Sequence, residues 1–204
     1  MITSRQLSIT AGISYLIIFF TAIYANFFVL DALITNPLET VIENSIHIRF
    51  GVMAFLFAAV FDVVVAWSLY ELYKGNILSS LSTYFRIIHA ALMGGALFAL
   101  LNIIYLNNPE EILNQVATFN NIWLIGLFFF GCHLILLHSI LKDQIKIIPK
   151  LLLLAGMMYI IDTGAHFLLP NYASYAQLML TLVAIPAILG EMSFSIWLLL
   201  KGGK

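Results

Sequence analysis

The stretch Ile46–Leu69, IHIRFGVMAFLFAAVFDVVVAWSL, decides the fold: 24 residues in which Asp62 is the one charge beyond Arg49 near its start. A helix crosses a hydrocarbon core of about 30 Å with roughly 20 such residues. Five further runs match it: Leu7–Leu30, Leu78–Tyr105, Ile122–Leu141, Leu151–Leu169 and Tyr175–Leu200. The whole chain agrees, with 62% of its 204 residues hydrophobic, 9% charged and a mean hydropathy of +1.02. Soluble domains carry roughly 25% charged residues, so this composition excludes a soluble enzyme and also a disordered or collagen-like chain. The expectation is an all-α polytopic membrane protein, one domain over residues 1–204 with six transmembrane helices in a single bundle. A net charge of −1 argues against a nucleic-acid partner, which needs a basic face.

The loops orient the bundle. Seven of the nine cations lie outside the spans: Arg5, Lys74, Lys142, Lys146, Lys150, Lys201 and Lys204. With six spans, all seven fall on the side of both termini, whereas Asp31, Glu39, Glu43, Glu110 and Glu111 fall on the other. The positive-inside rule then predicts a multi-pass protein of the cell membrane with both termini cytoplasmic. The first run is too long for a signal-peptide core and ends in no A-x-A-like site, so it is expected to remain as an anchor. Asn36-Pro37-Leu38-Glu39 and Asn108-Pro109-Glu110-Glu111 each offer an N-cap, a proline at N1 and a glutamate at N3. Each is expected to start a short interfacial helix ahead of spans 2 and 4. The shared device leaves open an inverted repeat of three plus three spans.

Five charged residues remain inside the spans: Arg49, Asp62, Arg86, Asp162 and Glu191. At about 1.5 Å per residue, Asp62 and Asp162 lie ~18 Å from their nearest lysines and Glu191 ~15 Å. Arg86 is ~12 Å and His89 ~16 Å into span 3, and His133 is ~14 Å from Lys142. Six ionisable residues from five spans are thus expected near mid-depth. Each costs roughly 2.5–3.5 kcal/mol at a helix centre, so they should face one another. Arg86 can neutralise one carboxylate by a paired contact, which leaves two acids over. Tyr159 shares a helix face with Asp162, and Asp162 with His166. Pro186 and Gly190 make span 6 the expected bent element beside Glu191. Arg49, with His47, belongs to the outer interface, where a long side chain reaches the headgroups.

Three functions suit this pattern. The cluster Asp62, Arg86, His89, His133, Tyr159, Asp162 and Glu191 can bind a proton, a cation or a small amphipathic, lipid-like ligand, for transport or binding. Alternatively, it serves an intramembrane enzyme acting on a lipid-like substrate, with His89, His133, Asp62, Asp162 and Glu191 as metal ligands or acid–base groups. A third reading is a purely structural charge network in an accessory membrane protein. Of cofactors, a metal ion suits the residue types better than haem, and no H-E-x-x-H or Glu-x-x-His pair supports it. Cys132, the only cysteine, forms no intrachain disulfide.

The ordered motifs Arg49-Phe50-Gly51 with Asp62, Phe85-Arg86, Phe130-Gly131-Cys132-His133-Leu134, Gly156 through Tyr159 to Asp162, and Gly190-Glu191 with Trp197-Leu198-Leu199 and Lys201-Gly202 form a wider pattern. It resembles the small bacterial membrane proteins of the domain-of-unknown-function family numbered 4386. The resemblance covers nearly the whole chain. It implies the six-span fold and carries no activity.

Overall fold

A computed structural model of the chain describes residues 2–203, so Lys204 lies outside the described residues. These residues form helices and connections without a strand. The helix α1 (Ser4–Tyr24) opens on a capping box. Thr3 Oγ1 accepts from the Gln6 backbone N–H at 3.2 Å, and Gln6 Oε1 accepts from the Thr3 N–H at 2.9 Å. It continues through one π-helical segment (Ala25–Leu30) into α2 (Asp31–Thr35). After α3 (Pro37–Glu43) come the long helices α4 (Ser45–Tyr73), α5 (Leu78–Ile103), α6 (Pro109–Leu141), α7 (Ile148–Leu168) and α8 (Ala176–Leu200), with a 3-10 turn at Tyr172–Ser174 before the last. Six helices are long and apolar enough to cross a membrane, which makes this a multi-pass membrane protein.

The two proline motifs have different outcomes. Pro37 starts the separate seven-residue α3, without a side-chain cap from Asn36. Asn108 does cap, accepting from the Glu110 N–H at 2.9 Å, but the helix it starts runs unbroken for 33 residues. The expected boundary at Ile122 is therefore absent. Nothing between Glu110 and Ile122 breaks a helix, and Ile112, Val116 and Phe119 give that stretch an apolar stripe. The stripe is buried against Leu33 and Val41 of α2 and α3 and Ile48 of α4.

The long helices pack in chain order around a ring, α1, α4, α5, α6, α7, α8, and α8 returns to α1. Two large apolar cores, with a small third cluster of Ala58, Ala59 and Met93, divide its length. At the lysine-free end, the π segment, α2 and α3 join α4, α5 and α6 around Phe55, Leu100 and Phe119. At the lysine-rich end, α1, α4, α6, α7 and α8 pack around Tyr15, Leu134, Leu152 and Phe194.

The ring closes firmly only at the lysine-rich end. Ser195 Oγ donates to Gly12 O at 2.9 Å, and the Tyr15 and Phe194 rings meet edge to face at 5.8 Å. A Cβ on Gly12 would lie 2.7 Å from Leu199, so glycine is what admits α8 there. Arg5 completes the seam. Its Nη1 donates to Leu198 O and Gly202 O, each at 3.0 Å, and its Nη2 to Leu199 O. Arg5 thus satisfies the last carbonyls of α8. Towards the lysine-free end, Leu178, Leu180, Leu182 and Ile185 of α8 are exposed.

Candidate functional site

Arg86 occupies the middle of the ring with none of its surface exposed. It stands on the ring-facing stripe of α5 with Ser82 four residues before it and His89 three after. Its Nη2 donates to Asp62 Oδ1 on α4 at 2.5 Å. Its Nη1 donates to Tyr15 OH on α1 at 2.7 Å and to His133 Nε2 on α6 at 3.2 Å. The guanidinium carbon lies 4.7 Å from the Tyr15 ring centre and 5.1 Å from that of Phe130. Four spans are therefore tied to one cation, whose charge is met by a carboxylate and two aromatic faces.

The network assigns the histidine protons. A guanidinium cannot accept, so His133 Nε2 is the acceptor and the ring proton resides on Nδ1. That nitrogen lies 3.0 Å from Ser82 O, to which it donates, and 2.9 Å from Ser82 Oγ. Both nitrogens are engaged, so a metal ion at His133 would have to displace a guanidinium. His89 Nε2 lies 3.5 Å from Asp62 Oδ2. Its Nδ1 has no hydrogen-bond partner and faces the backbone of α6, where a Cβ on Gly126 would be 3.2 Å away. Among the described residues, no three of His, Cys, Asp and Glu gather as a metal ion requires.

Beside this network the ring encloses a cavity of about 790 Å³. Asp62, Arg86, His89, Tyr159 and Glu191 line it together with Tyr15. Its walls are mainly apolar, including Ile18, Phe19 and Ile23 of α1, Leu124 of α6, and Leu180 and Ile188 of α8. The cavity continues to Asp31, Asn120, His166 and Gln177 at the lysine-free end. Of its lining, Phe27, Ile34, Leu180 and Ile188 are exposed. It therefore opens sideways between the lysine-free halves of α1 and α8, where the two apolar cores leave that seam unfilled.

Of the residues singled out by depth, Arg86, Asp62, His89 and His133 form one bonded group. Glu191 and Tyr159 line the cavity next to it, and Glu191 is half-buried. Asp162 also lines the cavity but stands outside the bonded group. Buried on α7, it accepts a 2.7 Å hydrogen bond from Tyr172 OH in the connection to α8. Partial burial, and then the bond to Asp162, push the Tyr172 phenol above its ordinary range. His166 Nε2 lies 3.3 Å from Asn121 Oδ1 on α6. His47 and Arg49 are exposed near the start of α4, away from the cavity. Gly190 allows the approach expected of it, since its Cβ would lie 3.2 Å from the Leu151 backbone. The helix α8 is continuous through Pro186.

Tyr15, Ser82 and Tyr172 were not anticipated from the sequence. Ser82 carried a signal, its four-residue spacing from Arg86. Tyr15 is an aromatic in an apolar run, with nothing in its surroundings to distinguish it from a lipid-facing tyrosine. Tyr172 lies in a connection whose path no periodicity predicts.

The sequence profile of a domain of unknown function (DUF4386) matches residues 10–202. An uncharacterized protein of Archaeoglobus fulgidus is 29% identical over 161 residues, which span 76% of this chain and 85% of that protein. No solved structure matches the chain.

Proposed function

The chain belongs to the DUF4386 family, and from its own geometry we propose that it binds a small amphipathic, lipid-like molecule inside the membrane. The observation that carries this reading is the cavity of about 790 Å³, apolar along its walls and ionisable at its floor. That volume lies in the range of roughly 300–1,000 Å³ typical of small-molecule sites. Along α1, the π segment and the start of α2 the cavity runs from Tyr15 to Asp31, about 24 Å at the α-helical rise. An amphipathic molecule can lay its apolar part along this shaft and bring its polar part to Glu191 and Tyr159. The side opening supports uptake from the bilayer, where such molecules are concentrated. On the positive-inside rule the lysine-rich end is cytoplasmic, and the opening then faces the outer leaflet.

The Arg86 network serves this function by holding the floor rigid. It ties α1, α4, α5 and α6 together at mid-depth, so the free half of α8 can stand away without the ring collapsing. A cavity-filling variant tests the reading. Ala184 lines the wall on α8, and Ala184→Trp should fill much of the shaft. Native mass spectrometry of gently solubilised protein should show a lipid-sized adduct on the wild type, and Ala184→Trp should lose it at an unchanged melting temperature. Equal adducts on both proteins would count against the cavity as the binding site.

A further inference from the structure

We infer that the molecule this cavity selects is a lipophilic cation, an amine or quaternary centre on an apolar body, with Glu191 as its counter-ion. This rests on the cavity being a binding site, as proposed above, and adds the sign of the charge. Four carboxylates line the cavity, Asp31, Asp62, Asp162 and Glu191, against the single cation Arg86, and no lysine reaches it. Arg86 offers an anion little, because it is wholly buried and committed to Asp62, Tyr15 and His133. Asp62 and Arg86 cancel, and Tyr172 holds Asp162. Glu191 is left without an arginine or lysine partner within ion-pair distance among the described residues. A carboxylate without an ion-pair partner is costly at that depth in an apolar wall, and a bound cation would supply the opposite charge that neutral Tyr159 beside it cannot.

The aromatic lining points the same way. Phe19, Trp123, Phe130 and Tyr159 surround the cavity from three helices. Aromatic faces attract cations within about 6 Å and give anions no equivalent. Two of the rings beside the floor, Tyr15 and Phe130, already flank the guanidinium of Arg86.

Two ions of the same shape and opposite charge provide the test. Equilibrium dialysis of the purified full-length chain in mild detergent against tetraphenylphosphonium and tetraphenylborate should give saturable binding of the cation alone. Glu191→Gln should weaken tetraphenylphosphonium binding at least tenfold. Asp31→Asn, an exposed change at the mouth, should weaken it by a smaller factor, and it keeps the test open should Glu191→Gln fail to fold. Saturable tetraphenylborate binding as tight as that of the cation would overturn the charge inference and leave the cavity proposal standing. Unchanged tetraphenylphosphonium affinity in a folded Glu191→Gln would remove Glu191 as counter-ion. If neither ion binds saturably, and Ala184→Trp changes nothing, the cavity proposal itself is lost.

Discussion

Arg86 shows what can be decided one residue at a time. Counting along the helices placed it at mid-depth with three acids in range, but its choice among them was open. Asp62 won because α4 and α5 are neighbours in the ring and their stripes face each other at that level. Asp162 instead meets Tyr172, and Glu191 looks into the cavity. Removing Arg86 strands a buried carboxylate, so Arg86→Leu should lower stability by about 3–5 kcal/mol. The double variant Arg86→Leu with Asp62→Leu should recover much of that loss, because no charge is left unpaired. Thermal unfolding in mild detergent reads both. A double variant that loses the sum of the two single losses would mean that the pair is not coupled. His89 and His133 were candidate metal ligands by residue type alone. Their nitrogens are directed to Asp62, the α6 backbone, Arg86 and Ser82, a distinction of ring rotation that residue identity does not carry.

At the scale of helices, the glycines divide by what each one faces. A Cβ on Gly131 would lie 2.6 Å from the Gly156 carbonyl oxygen, and one on Gly156 would lie 2.7 Å from that of Gly131. The helices α6 and α7 therefore cross backbone to backbone just beside His133. Gly131→Val should lower stability by about 1–3 kcal/mol or more, since backbone cannot yield as a side chain can. At Gly95 of α5 an added Cβ meets nothing within 4 Å, so Gly95→Ala should stabilise by about 0.5–1 kcal/mol through the lower entropy of the unfolded chain. Unfolding midpoints should rank Gly95→Ala above wild type and wild type above Gly131→Val; the reverse order would refute the crossing. Hydropathy located the helices well but not their ends. Two spans run on past their apolar windows, α1 into α2 and the early turns of α6, because buried stripes facing the lysine-free core continue there. The π segment had no sequence mark at all. Its Val29 seats on Gly51, where a Cβ would clash at 2.7 Å, and that contact joins residues in different helices.

For the whole molecule, the distribution of charge makes a claim about sidedness. In a Cys132→Ser background, Asn107→Cys should react with a membrane-impermeant maleimide in intact cells, and Lys146→Cys only after lysis. Reaction of Lys146→Cys in intact cells would invert the orientation and with it the leaflet towards which the cavity opens. The number of spans, the shared side of the loop cations and the presence of polar groups at mid-depth were determined by the sequence alone. Each is a local sum: the hydropathy of about 20 neighbours, the charge of a short loop, or a count of residues at a fixed rise. Which acid Arg86 pairs with, which carboxylate is left over, and that a cavity exists beside them were decided only by the tertiary structure. These depend on how each helix is rotated, on which helices are neighbours, and on α8 leaving α1 halfway along their seam. All three properties arise from packing between residues far apart in the chain, such as Ser195 on Gly12 and Arg5 on the end of α8.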